Sequence, residues 1–292
     1  MTCLAGFETG QAQVNGQTIA YAKAGQGPPV LLLHGFPQTH AMWHAIAPRL
    51  SQDFTVIASD LRGYGDSSKP TTMEEMSFRP MAADQVALMD HLGFSQFHLI
   101  GHDRGGRTAH RLALDAPDCL RSLTVMDIVP TQHLLSDLPH TAARSYYHWF
   151  FLAQKAPFPE TFIAHDPNLF FETSLAGWGP DGLQEFDFDA LNAYRTAWRQ
   201  PATIRSMCND YRAAIDVDLT LDSQDLDRSI TVPSLVLYGR DGVMARDFDV
   251  VKTWEARLSN MTSRALPGGH YFPDTHPKDT TNALLDFLSQ QP

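Results

Sequence analysis

A chain of 292 residues with 43% hydrophobic and 19% charged residues is long enough to bury a conventional core and too mixed in composition to be fibrous or disordered. Its formal net charge of −11 repels phosphate backbones and anionic bilayers, which argues against nucleic-acid and membrane-surface partners. Three cysteines (Cys3, Cys119, Cys208) without CxxC spacing argue against a disulfide framework or a zinc site and fit a reducing compartment.

The opening MTCLAGFETGQAQ has neither the basic nor the apolar region of a secretory leader, and no run approaches the roughly 18 apolar residues of a membrane span. A soluble cytoplasmic protein is expected. Apolar runs at Val30–Leu33, Phe54–Ser59, Phe97–Ile100 and Leu123–Met126 alternate with helical patterns, the signature of a mostly parallel sheet flanked by helices. Each run is followed by a polar or glycine-containing turn: HGFP, DLRGYGDSS, GHDRGG and DIVP. In open α/β sheets such turns converge on one crevice beyond the carboxyl ends of the strands.

After Pro130 the alternation stops for about a hundred residues and resumes with Ser234–Tyr238. The interval between Tyr146 and Tyr211 holds half of the chain's Phe, Trp and Tyr, as a small helical insertion needs to form its own core. The predicted organisation is α/β: a core domain of residues 1–130 and 230–292, interrupted by a helical cap domain at 131–229. A last helix is predicted over Thr280–Leu288.

Gly101-His102-Asp103-Arg104-Gly105 matches the G-x-Nu-x-G turn, with a strand before it and a helical pattern, Arg107–Leu114, after it. The simpler alternative is a helix N-cap at Asp103. An aspartate nucleophile changes the reaction class. Attack on an ester carbonyl would give an anhydride, whereas attack on saturated carbon gives a stable ester. That ester must then be hydrolysed, and His270, in the late PGGH segment, is the expected base for water. Asp127 and Asp241, both after strand-like runs, are alternative partners for His270. Backbone N–H groups of Phe36, in His34-Gly35-Phe36, and of Arg104 are expected to form an oxyanion hole. Arg104 and Arg107 lie three apart at a helix start, hence on one face. Together they can clamp a substrate carboxylate close to the attacked carbon and keep Asp103 ionised. A two-carbon α-haloacid fits that description.

HGFPQTHAMWH (His34–His44), DLRGYGDSSKP (Asp60–Pro70), GHDRGGR (Gly101–Arg107), DIVPT (Asp127–Thr131), YHW (Tyr147–Trp149), DYRA (Asp210–Ala213) and PGGH (Pro267–His270) together resemble the fluoroacetate (haloacetate) dehalogenases of the α/β-hydrolase superfamily, from about Phe7 to Leu288. The resemblance implies Asp103 as nucleophile, His270 as base, Asp127 as its partner and Arg104 with Arg107 on the carboxylate. It also implies a halide pocket of His148, Trp149 and Tyr211, whose N–H and O–H groups suit departing fluoride. Trp178 reads equally as a pocket wall and as cap core. A homodimer is implied as well. The aspartate of GRDG, Asp241, is not part of the family pattern.

No cofactor or metal is expected. His40 and His44 have helical i, i+4 spacing but no intervening glutamate and no third ligand. Asp216, Asp218, Asp222, Asp225 and Asp227 read as a solvated acidic loop, since Leu221 stands where a calcium loop needs glycine. Gly25-Gln-Gly27 is too short for a dinucleotide fingerprint. Two other functions compete with dehalogenation. An epoxide hydrolase would share the nucleophile and take a proton from tyrosines such as Tyr146, Tyr147, Tyr194 or Tyr211, but has no use for two arginines. A hydrolase-fold receptor without turnover would not need the full set Asp103, Asp127 and His270.

Overall fold

The computed structural model describes residues 4–136, 138–177 and 182–291. Eight strands form one sheet in the order β1-β2-β4-β3-β5-β6-β7-β8: β1 Glu8–Val14, β2 Gln17–Ala24, β3 Pro29–Leu33, β4 Thr55–Ser59, β5 Phe97–His102, β6 Leu120–Met126, β7 Ser234–Gly239 and β8 Met261–Leu266. From β4 through β8 all pairings are parallel, while β1–β2 and β2–β4 are antiparallel. Every residue of β3, β4 and β5 is buried, because helices cover both faces. Such strands read as uninterrupted apolar runs.

Three strands are not among the apolar runs of the sequence. β1 and β2 are joined by Asn15-Gly16, both at positive φ (49° and 72°), a turn whose twist matches a right-handed hairpin. β8 is an edge strand with three consecutive exposed residues, Thr262 to Arg264, so its pattern carries little apolar signal. The helix after the elbow begins at Arg104 and ends at Asp115, and the last helix begins at Pro277, each three residues earlier than its periodicity indicates. Helix starts are fixed by turns and by proline at the first position rather than by apolar spacing.

Between β6 and β7 the described chain is helical, from Thr131–Ser136 to Leu219–Gln224, and forms the inserted cap. Its aromatic residues do pack as a core: Phe171 stacks on Trp198 with centroids 5.2 Å apart, and both are fully buried. Trp178 lies outside the described residues. The acidic stretch near the end of the insertion is not a solvated loop. Asp218 is buried and accepts hydrogen bonds from Ser77 Oγ (2.8 Å) and Phe78 N (3.1 Å), capping the Phe78–His91 helix. Asp225 pairs with Arg111 (2.7 Å) and Arg228 (3.0 Å). These carboxylates fasten the cap's return to the core helices, which explains their density where the chain re-enters the sheet.

Candidate active site

The elbow is built by backbone geometry. Asp103 sits at φ 48°, ψ −113° between β5 and its helix, a conformation costly for a residue with a Cβ and found where surrounding structure holds it in place. The glycines around it make the turn possible. A Cβ on Gly105 would lie 2.5 Å from the carbonyl oxygens of Leu33 and His34, and one on Gly35 would lie 2.5 Å from the Cβ of Asp103.

Asp103 is 4% exposed. Its Oδ1 accepts a 2.8 Å hydrogen bond from the Phe36 backbone N–H, and its Oδ2 lies 3.7 Å from His270 Nε2. On the other side of the imidazole, His270 Nδ1 is 2.7 Å from Asp127 Oδ2. Asp127 Oδ1 in turn accepts from Gly239 N at 2.8 Å, and Asp127 is also held at positive φ (50°). Of the two aspartates the sequence offers His270, Asp127 is the one that reaches it. Asp241 instead accepts from Gly268 N at 3.0 Å, pinning the loop that carries the histidine. His102, the residue before the elbow aspartate, donates from Nε2 to the His270 carbonyl at 2.8 Å. Burial drops its imidazole to about 3, so it remains a neutral donor.

Burial alone would raise the Asp103 carboxyl. His270, Arg104, His102 and Arg107 outweigh that and hold it at about 2, so it is a carboxylate throughout the physiological range. The two arginines share one face of the helix but have different surroundings. Arg104 is fully buried and committed to Asp210: Nε donates to Oδ2 at 2.9 Å, and Nη2 donates to Oδ1 and, at 3.0 Å, to the Asp210 carbonyl. Arg107 donates from Nη1 to Val129 O (3.0 Å) and Thr131 Oγ1 (3.1 Å). Burial lowers its guanidinium to about 10, against the pull of Asp103. Several donors of the pair are therefore already taken within the protein. Within this pair, Arg104 Nη1 and Arg107 Nε are buried donors without a hydrogen-bond partner among the described residues.

Trp149 lies between the cations, its ring 4.9 Å from Arg104 Cζ and 4.8 Å from Arg107 Cζ. His148 and Tyr211 pack on Phe36 with centroids 5.7 and 5.1 Å away, and Tyr211 meets Trp149 edge to face at 5.2 Å. Thus the cap residues singled out in the sequence form one cluster, His148 and Tyr211 on the Phe36 ring and Trp149 joined to it through Tyr211. Burial keeps His148 well below its ordinary range, and burial together with Asp103 keeps the Tyr211 phenol well above its own. Both stay neutral and able to donate.

The remaining residues separate. His40 binds Asp60 at 2.8 Å while His44 lies 4.0 Å from Asp274, so the two histidines do not converge. Tyr194 donates to Asp274 (3.1 Å) and Tyr147 is exposed, whereas Tyr146 is buried. Asp210 and Tyr64, whose hydroxyl donates to Asp210 Oδ2 at 2.6 Å, were not identifiable as site residues individually. Both stand within recognisable segments, DYRA and DLRGYGDSS, but their meeting joins positions 146 residues apart.

A family model described as alpha/beta hydrolase fold matches residues 28–277. A fluoroacetate dehalogenase of a Burkholderia species is 49% identical to this chain, covering 97% of it and 94% of the relative. A soluble epoxide hydrolase of Corynebacterium sp. (strain C12) is 32% identical, with 96% of each covered. A solved α/β-hydrolase structure from Nostoc sp. PCC 7120 superposes with a TM-score of 0.96 at 44% identity, covering 98% of this chain and 99% of that one. With the elbow, the His270–Asp127 pair and the helical insertion all in place, the chain belongs to the fluoroacetate dehalogenase family of the α/β-hydrolase superfamily.

Proposed function

We propose that this enzyme hydrolyses small 2-haloacids, fluoroacetate and other haloacetates, to the 2-hydroxy acid and halide. The observation that carries the reading is a buried carboxylate at an elbow, facing His270, with two buried arginine donors beside it. Asp103 Oδ2 attacks the carbon bearing the halogen as the C–X bond breaks, giving an ester at Asp103 and free halide. Oδ1, already held by Phe36 N–H, becomes the ester carbonyl oxygen. His270 Nε2 takes a proton from water as the water adds to Cγ, and negative charge develops on Oδ1. That charge is stabilised by the N–H of Phe36 and by that of Arg104 at the helix start. Collapse expels glycolate, whose alkoxide oxygen takes the proton from the imidazolium that Asp127 holds in orientation. The carboxyl left at Asp103 gives its remaining proton through the neutral His270 to solvent, restoring the carboxylate. His148, Trp149 and Tyr211 donate to the departing halide. Fluoride, small and strongly solvated, gains most from such donors.

The division into a core of residues 1–130 and 230–292 and a cap of 131–229 belongs to the same reading, the cap closing over the strand ends. A homodimer, with no nucleic-acid partner, is part of it too. All seven large apolar side chains that are exposed among the described residues, Tyr147, Phe162 and Phe188 among them, lie within 131–229, as a cap-to-cap contact would require. Light scattering should give twice the 32.5 kDa chain mass; a monomer at micromolar concentration contradicts this part.

Epoxide hydrolysis is the second reading, supported by the buried pair Tyr146 and Tyr211 and by the Corynebacterium relative. The two are separated by incubating the enzyme with fluoroacetate, chloroacetate and a simple terminal epoxide. Halide release from the acids without diol from the epoxide is expected. Diol formation without halide release would replace the dehalogenase reading.

A further inference from the structure

Asp210 lies 106 residues from Arg104 in sequence and takes two of its three nitrogens. A guanidinium required only to bind an anion would be left open. Here the carboxylate of Asp210, itself fully buried and bonded by Tyr64, cancels the charge of Arg104 before any ligand arrives. Arg104 does not depend on that carboxylate alone for its position. Its Nη2 also reaches the Asp210 carbonyl at 3.0 Å, and Cζ stands 4.6 Å over Phe78 and 4.3 Å over Tyr211. The outcome is a fixed donor, Nη1, carrying little net charge, beside a second cation, Arg107, whose hydrogen bonds go to the neutral oxygens of Val129 and Thr131 and whose charge is drawn on chiefly by the nucleophile Asp103 at longer range.

We infer that Asp210 is a specificity-determining residue that sets the valence of the ligand: it lets the site hold one carboxylate and makes it reject dianions. This rests on the proposed carboxylate site at Arg104 and Arg107. The physical reason is that a buried charge acts twice as strongly on a dianion as on a monoanion. At a separation of about 8 Å and an effective dielectric constant of about 20, one unit charge is worth about 2 kcal/mol to a monoanion. Removing the Asp210 charge therefore favours the dianion by an additional amount of that order, tenfold or more in relative affinity.

Glycolate and oxalate are matched probes, each with two carbons, one carrying a single charge and the other two. Titration calorimetry on the full-length wild-type protein should show glycolate binding and oxalate binding at least about tenfold more weakly. In Asp210→Asn the oxalate-to-glycolate affinity ratio should rise by about tenfold or more, whereas Tyr64→Phe, which keeps the carboxylate, should leave the ratio at its wild-type value. A parallel weakening of both ligands in Asp210→Asn would reduce Asp210 to a structural role and overturn the inference. So would wild-type protein that binds oxalate as tightly as glycolate, a result available even if the Asn variant does not fold. Failure of wild-type protein to bind either acid would instead remove the carboxylate site on which the inference stands.

Discussion

At the strand ends, Asp103, Asp127 and His270 are fixed by backbone: two positive-φ aspartates, a Phe36 N–H, a Gly239 N–H and a His102 bond to the His270 carbonyl. Under the cap, His148 stacks on Phe36, and Tyr211 meets His148 and Trp149 edge to face, so that rings hold one another in place. Backbone geometry tolerates almost no change, whereas aromatic packing can be adjusted side chain by side chain. The comparison suggests a division of labour. The strand ends set the type of reaction, and the cap sets which leaving group and which acid are accepted.

Substitutions can break or sharpen that division. The largest effect is expected from Asp103→Asn, which removes the nucleophile and should lower kcat at least about 10⁴-fold with the fold intact by circular dichroism; residual turnover near wild type would place the nucleophile elsewhere. Arg107→Ala removes the cation that no side-chain carboxylate among the described residues pairs directly. A buried charge-assisted bond is worth about 1.5–3 kcal/mol, so KM for haloacetates should rise roughly 10- to 100-fold, and unchanged KM would reject Arg107 as the anchor. Trp149→Phe keeps ring packing and deletes one donor. Fluoroacetate turnover should fall about three- to tenfold, and chloroacetate turnover less. Equal losses on both acids would mean that the indole N–H does not serve the halide.

The smallest effect concerns Asp274, a junction between the two halves that touches Gln38, of the HGFPQ loop, and Tyr194 of the cap. Burial raises its carboxyl to about 8, against the lowering effect of those hydrogen bonds. The folded chain thus keeps a proton that the unfolded chain releases near pH 4. Stability present below about pH 4 is lost as pH rises towards 8. Asp274→Asn cannot ionise, so its Tm should fall less between about pH 5 and 8 than that of the wild type. Identical slopes in a thermal scan would show that Asp274 does not carry the proton.

Much of the first half of this picture is legible in the sequence. β3 to β7 announce themselves because strands buried on both faces are written in apolar residues, and G-x-Asp-x-G needs its glycines for contacts such as Gly105 against Leu33 and His34. Asn15-Gly16 was an available hairpin signal, lying between polar strands that dilute it. The choice between Asp127 and Asp241 depends on where two loops meet in space, and so does the pairing of Arg104 with Asp210. Neither is encoded in local spacing. The cap residues could be named only through resemblance to a family, since each reads by itself as core.

The central claim is an ester at Asp103, and its most direct test is mass spectrometry of His270→Asn after incubation with fluoroacetate. Without the base for water, the first step should proceed and the second should stop. The peptide containing Asp103 is expected to carry the mass of one added carboxymethyl group, with one fluoride released per site. Continued turnover with no modified peptide, or modification at another residue, would contradict the account.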